Sequence, residues 1–239
     1  MSAQIFIAVA CHNRKAVAEQ CLPTMRDSMH PDDHLTLWND GSSEYDSQWL
    51  AQFLPGGMVG GHILYEMPVP VGIQSQRRRH LQEFLKYPVY THLYFSDHDV
   101  LMDPTWRENA LRIQAKHGNA PLCLYNTNAH VRLQGNTIEG VQESEVIWRR
   151  VAPGVSYLLT REHVERLRPH IDKLEHFDWQ IPALIGPFAV SRVGYIDHIG
   201  WGGQRHPAHE GIDGGDRVLN PTPWLVAKRA EVVAELRDQ

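Results

Sequence analysis

A continuous apolar run, Ile5-Phe6-Ile7-Ala8-Val9, closes on the polar turn Cys11-His12-Asn13-Arg14, and this pattern predicts a buried strand over residues 4–10. Val17, Cys21, Leu22 and Met25 then recur at helical spacing, predicting a helix over 15–29 that Pro23 kinks. A second apolar run predicts a strand over 34–38, followed by a turn, Asn39-Asp40-Gly41-Ser42-Ser43, that also caps the next helix. The alternation continues with a strand over 63–67 and a helix opened by Gly72 that carries Leu81, Phe84 and Leu85. A strand over 91–95, a helix over 105–117 and a strand over 122–125 complete it.

Strands and helices alternating at these lengths predict a mostly parallel central sheet flanked by helices. Ligands of such sheets bind at the carboxyl edge of the strands, where the loops after them gather. Beyond residue 125 the pattern changes. Short runs broken by Gly135, Gly140 and Pro153-Gly154 predict a smaller antiparallel ribbon over 126–158. A helix over 162–170, a strand over 190–196, a mobile glycine-rich loop over 200–215 and a separate amphipathic helix over 226–239 follow. No internal repeat is visible. The expectation is one α/β domain over residues 1–239, with halves 1–120 and 121–239.

Composition narrows the function. Of 239 residues, 42% are apolar and 21% charged, which excludes a disordered or fibrous chain. A formal charge of −5 is a poor match for phosphate-backbone binding, so nucleic acid is not expected as a partner. No apolar run approaches the roughly 20 residues a membrane span needs, and the first residues carry no basic leader; a cytoplasmic location is expected. Cys11, Cys21 and Cys123 have no metal or disulfide spacing and read as small buried residues. The fifteen histidines are scattered, so only their placement relative to acids carries an argument.

Asp97-His98-Asp99 falls where the apolar strand Tyr94-Phe95-Ser96 runs out. In an extended segment, residues two apart share a face, so both carboxylates converge outside the sheet. Two oxygen ligands with open positions suit Mg²⁺ or Mn²⁺ shared with a substrate's phosphates, and the implied substrate is a phosphate ester. The rival reading is a solvated turn; no other Asp-x-Asp occurs in the chain.

With these residues in place, the chain resembles the nucleotide-sugar glycosyltransferases of the GT-A fold, in particular the large family-2 group. Cys11-His12-Asn13-Arg14 is similar to that family's Thr-x-Asn-Arg turn, and Asn39-Asp40-Gly41-Ser42 to its Asp-Asp-Gly-Ser. Gly72 with Arg77-Arg78-Arg79 resembles its glycine and basic helix start, and Asp97-His98-Asp99 its metal-binding Asp-x-Asp. Order and spacing agree over about residues 4–117. The second half matches more thinly, through Gly154-Val155-Ser156, Phe177-Asp178-Trp179 and His198. Phe177, Asn39 and Cys11 depart from the family pattern.

The resemblance implies a Rossmann-like sheet whose first half, 1–120, binds a nucleotide sugar and whose second half, 121–239, faces an acceptor. It implies a UDP-sugar or another nucleoside diphosphate sugar as donor, an acceptor that the residues do not identify, and inversion at the anomeric carbon. Asp99 would ligate Mn²⁺ or Mg²⁺ directly, Asp97 would support the ribose or a metal-bound water, and His198 would complete the shell. Asp40 and Gly41, with the Cys11, Asn13 and Arg14 turn, would meet the base and ribose; Arg77 and Arg79 would hold the diphosphate. Asp178 would be the catalytic base.

Each residue also has an ordinary reading. Asp40-Gly41-Ser42 serves equally as turn and N-cap, the arginines as a solvated helix face, Asp178 as a surface acid and His198 as a structural histidine. His206-Pro207-Ala208-His209-Glu210 has the wrong order for a zinc protease and reads as part of a lid. Two rivals remain: a nucleotide-sugar-binding protein of the same fold with little or no turnover, and a nucleotidyltransferase, which the absence of a glycine-rich triphosphate loop disfavours.

Overall fold

The computed structural model describes residues 3–56, 63–127, 136–138, 144–199 and 218–237. The first half alternates as its hydrophobic pattern predicts. β1 (Ile5–Cys11), α1 (Lys15–Asp27), β2 (His34–Asn39) and α2 (Ser47–Ala51) lead to β3 (Ile63–Glu66) and α3 (Ile73–Lys86). β4 (His92–Asp97), β5 (Val100–Met102), α4 (Trp106–Lys116) and β6 (Leu122–Cys123) follow. The rest comprises β7 (Val146–Arg149), β8 (Ser156–Thr160), α5 (Arg161–Leu167), a 3₁₀ turn over Arg168–Lys173, α6 (Phe177–Ile185), β9 (Phe188–Ser191), β10 (Ile196–His198) and α7 (Pro223–Arg237).

Eight strands form one sheet in the order β3-β2-β1-β4-β8-β6-β9-β7. β1 pairs parallel with β2 and β4, and β2 with β3, while β8 runs against both β4 and β6. β9 is parallel to β6 and β7 antiparallel to β9, so only β7 and β8 are reversed. β1 lies at the heart of the sheet with all seven of its residues buried, which explains why it reads as a continuous apolar run without alternation. A separate antiparallel pair, β5 with β10, sits beyond the end of β4.

The antiparallel pairing expected over 126–158 is found in β7 and β8, which run antiparallel within the main sheet. Several expectations are corrected. The predicted strand over 190–196 divides into β9 and β10, because the chain bends between them and Ser191 Oγ donates to the Val193 carbonyl at 2.8 Å. The helix after β2 is capped by Asp46, whose side chain accepts from the Trp49 amide, and not by the tract 39–43. The final helix is not separate; Leu225 and Val232 pack with Cys21, Leu101 and Ile199 in a small second core. All three cysteines are buried thiols. The loop over 200–215 and the His206–Glu210 motif lie outside the described residues.

Candidate functional site

Parallel register brings the ends of β1, β2 and β4 to one edge: Cys11 stands opposite Asn39, and Ala10 opposite Asp97. The turn after β1 is built on strained backbone. Asn13 and Arg14 both take left-handed conformations, with φ of 52° and 57°, which non-glycine residues adopt only where surroundings enforce them. The enforcement is visible: Asn13 Oδ1 accepts from Ser42 Oγ at 3.0 Å and the Ser43 amide at 2.9 Å. The His98 ring bridges the Ala10 and Asn13 carbonyls, with Nδ1 at 3.1 Å and Nε2 at 3.0 Å. Arg14 is thereby launched from a fixed point.

Asp97 ends β4, whereas Asp99 sits in the two-residue turn His98-Asp99 that leads into β5. The acids therefore converge through a turn, not through the extended run the sequence suggested. β10 supplies the third group: His198 pairs with Val100 across the antiparallel ladder, and the Ile199 amide donates to the Asp99 carbonyl at 3.0 Å. Tyr125, buried beyond β6, packs edge-on against the His198 ring at 6.1 Å. One ligand-type atom from each of Asp97, Asp99 and His198 lies within 4.8 Å of the others.

Each acid also meets an arginine. Arg14 Nη1 donates to Asp99 Oδ2 at 2.5 Å, and Arg77 Nη2 to Asp97 Oδ1 at 3.3 Å. His198 Nε2 lies 3.0 Å from Asp99 Oδ1, yet that buried oxygen has no aligned hydrogen bond. Burial pushes the Asp99 carboxyl upward, but His198 foremost, with His98 and Arg14, outweighs it and holds the acid well below the usual range. Burial pulls His198 down, and the Asp99 carboxylate more than compensates, so the imidazole's pKa is raised.

The residues fit a hard divalent cation on three counts. Asp99 Oδ1 is a buried acceptor with the His198 ring 3.0 Å away and no well-aligned hydrogen bond. Neighbouring ligands of an octahedral ion with bonds of about 2.1 Å lie about 3.0 Å apart, the separation of Oδ1 and Nε2. Two carboxylates and an imidazole are oxygen and nitrogen donors of the right kind.

A second acid flanks the first group. Asp178, in the first turn of α6, accepts from the Gly154 amide at 3.0 Å, with Arg77 Nη1 at 4.0 Å. A Cβ on Gly154 would lie 2.3 Å from Arg77 Nη1 and 2.6 Å from Asp178 Oδ1, so a glycine is what lets the two side chains meet under this loop. Arg77 thus stands between Asp97 and Asp178. Trp179 leaves the same helical turn with 58% of its surface exposed.

The other candidates are placed differently. Both Asp40 oxygens accept backbone amides, Oδ1 from Val71 at 2.7 Å and Oδ2 from Gly72 at 2.8 Å, so this side chain tethers the entry to α3. Gly41 has φ of +60°, and a Cβ there would lie 2.8 Å from Pro70 N, which makes glycine obligatory for that approach. Cys11 is wholly buried, its thiol pushed up by burial, and points into the core. Arg79 turns away from the acids to Met67 Sδ, while Arg78 holds the Leu174 carbonyl. Sequence reasoning overlooked His98 as the clamp behind the strained turn; its only signal was its place between two acids, since neighbours along a strand face opposite ways.

No protein-family model matches the sequence, and no curated protein matches it either. Solved structures do resemble the fold. TarS 1-349 of S. aureus superposes with a TM-score of 0.54 at 11% identity, over 78% of this chain and 57% of that one. The same protein in complex with UDP-GlcNAc gives 0.54 at 12% identity, over 78% and 55%. The mannosyltransferase PcManGT from Pyrobaculum calidifontis, in complex with GDP-Man and Mn²⁺, gives 0.50 at 14% identity, over 68% and 46%. The chain spans about half the length of these structures. The fold is that of GT-A nucleotide-sugar glycosyltransferases. No helix among the described residues is long and apolar enough to cross a membrane.

Proposed function

We propose that this protein transfers a sugar from a nucleoside diphosphate sugar, a UDP-sugar before others, to an acceptor hydroxyl with inversion. The observation that carries the reading is the convergence of Asp97, Asp99 and His198 at the carboxyl edge of a sheet that nucleotide-sugar enzymes share. These three residues would hold Mn²⁺ or Mg²⁺, which when bound offsets the negative charge that grows on a departing diphosphate. Arg77, between Asp97 and Asp178, directs positive charge to the same region. Asp178 takes the proton from the acceptor hydroxyl; the oxygen then bonds to the anomeric carbon as the bond to the diphosphate breaks. A hydrogen bond from the Gly154 amide to Oδ1 holds the Asp178 carboxylate in place. Asn13, Arg14, Asp40 and Gly41 shape the wall at which the base and ribose would rest, Asp40 by holding residues 71 and 72 in place.

The test is release of UDP or GDP from a panel of nucleotide sugars in the presence of Mn²⁺, together with binding of the free nucleotide. Metal-dependent UDP binding that disappears in Asp99→Ala, with turnover in the unaltered protein, is the expected result. Tight UDP binding with neither hydrolysis nor transfer would replace the enzyme with a nucleotide-sugar-binding protein. Equal UDP affinity in Asp99→Ala with Mn²⁺ present would remove the assigned ligand.

A further inference from the structure

The two acids of the triad are not bare. Asp99 is buried and carries Arg14 on Oδ2 at 2.5 Å; Asp97 carries Arg77 at 3.3 Å, and Arg77 is itself shared with Asp178. The neighbouring acid, Asp197, is paired with Arg229 at 2.6 Å and adds no net charge. Two guanidinium groups thus offset most of the charge of three carboxylates, Asp97, Asp99 and Asp178, at the point where a cation would bring two positive charges. A cation placed there gains less from Asp99 than from an unpaired carboxylate, because at short range inside a protein a like charge costs several times what it costs in water. A diphosphate brings the missing negative charge. Arg14 is built to respond to it: its backbone is locked in the left-handed conformation by Ser42, Ser43 and His98, while its side chain keeps 27% of its surface exposed. A guanidinium on a fixed root whose side chain is only partly buried can exchange a carboxylate for a phosphate oxygen, both of which match its planar fork.

We infer that Arg14, seconded by Arg77, is the counter-charge that keeps the triad from holding a divalent cation by itself and makes cation binding depend on a diphosphate. This rests on the triad being a cation site and adds who controls its occupancy. The dependence is reciprocal, so the nucleotide must gain from the ion what the ion gains from the nucleotide.

The experiment is a Mn²⁺ titration followed by electron paramagnetic resonance of the free ion, with and without UDP, on the whole chain and on two variants. Arg14→Asn removes the charge with a residue that tolerates left-handed backbone. Arg14→Lys keeps the charge and loses the fork. In the unaltered protein UDP is expected to tighten Mn²⁺ binding by about tenfold or more. Arg14→Asn is expected to bind Mn²⁺ alone about tenfold more tightly, with the enhancement by UDP reduced by the same factor, and Arg14→Lys, which keeps the charge, to bind Mn²⁺ alone within about twofold of the unaltered protein. Unchanged or weaker Mn²⁺ binding in Arg14→Asn would overturn the inference and leave the triad standing, with Arg14 as a group that orients Asp99. Should Arg14→Asn not fold, Arg14→Gln, which also removes the charge, decides: Mn²⁺ binding no tighter than in the unaltered protein overturns the inference. Failure of Mn²⁺ to bind any form, with or without UDP, would remove the cation site and this inference together.

Discussion

The two ends of β1 each hold a buried acid against an arginine, and they are built on opposite plans. At the amino end, Arg107 grips Asp33 with two bonds, Nε to Oδ2 at 2.6 Å and Nη2 to Oδ1 at 2.9 Å. The same oxygens accept the amides of Ile5 and His30, and the guanidinium also donates to the Ala3 carbonyl. At the carboxyl end, Arg14 gives Asp99 one bond, the other oxygen is without an aligned donor, and the arginine rises from strained backbone. Saturated pairing fixes the fold, since every buried polar atom is satisfied. Incomplete pairing costs stability and is retained where a ligand can complete it.

Arg107→Ala should have the largest effect on the folded state. It strands a carboxylate with no solvent exposure, and urea unfolding is expected to show a loss of about 3–5 kcal/mol. A loss below about 1 kcal/mol would erase the contrast between the two ends. At the carboxyl end the large effect belongs to chemistry: Asp178→Asn should lower sugar transfer by about 10²–10³-fold while UDP binding in Mn²⁺ stays within about twofold. Transfer that survives at near-normal rate would move the base elsewhere.

Acid should act first on the amino side. His163 in α5 uses Nδ1 to accept the Thr160 amide at 3.2 Å in a capping box, and its pKa is pulled down to about 4 by burial, then by Arg166 and His92. His92, at the start of β4, is likewise lowered to about 4 by burial and by Arg107. A histidine that titrates lower when folded than when unfolded binds protons more readily in the unfolded chain, so stability is whole above about pH 6.5 and falls toward pH 4. Urea midpoints across that window should decline, and His163→Gln, whose side-chain oxygen can accept the same amide, should flatten the slope. A smaller change in stability than for Arg107→Ala is expected for Asp99→Asn, about 1–3 kcal/mol, because the Asn side-chain oxygen can still accept from Arg14. A penalty as large as that of Arg107→Ala would mean both ends are structural.

What the sequence disclosed follows the range of the interactions involved. β1, α3 and β4 were legible because their apolar periodicity is local, and Asp97 and Asp99 because two acids at a strand end are unusual. β8 and β9 depend on pairings with distant strands, so their places in the sheet had no local mark. His198 entered only through a family resemblance; nothing near it in the chain announces that β10 sets it opposite Val100. The Arg14 contact with Asp99 was hidden for another reason. It needs two successive left-handed residues at Asn13 and Arg14, where propensity alone would place glycine.

The ladder between β5 and β10 is three residue pairs long, and with the Ile199 amide bond to the Asp99 carbonyl it ties the strand carrying His198 to the segment carrying the acids. A cut anywhere between Met102 and Ile196 would therefore leave the acids on one fragment and the imidazole on the other. Two fragments expressed separately would have to rebuild that ladder along with the main-sheet pairings to regain the triad, and Mn²⁺ with UDP would favour their reassembly.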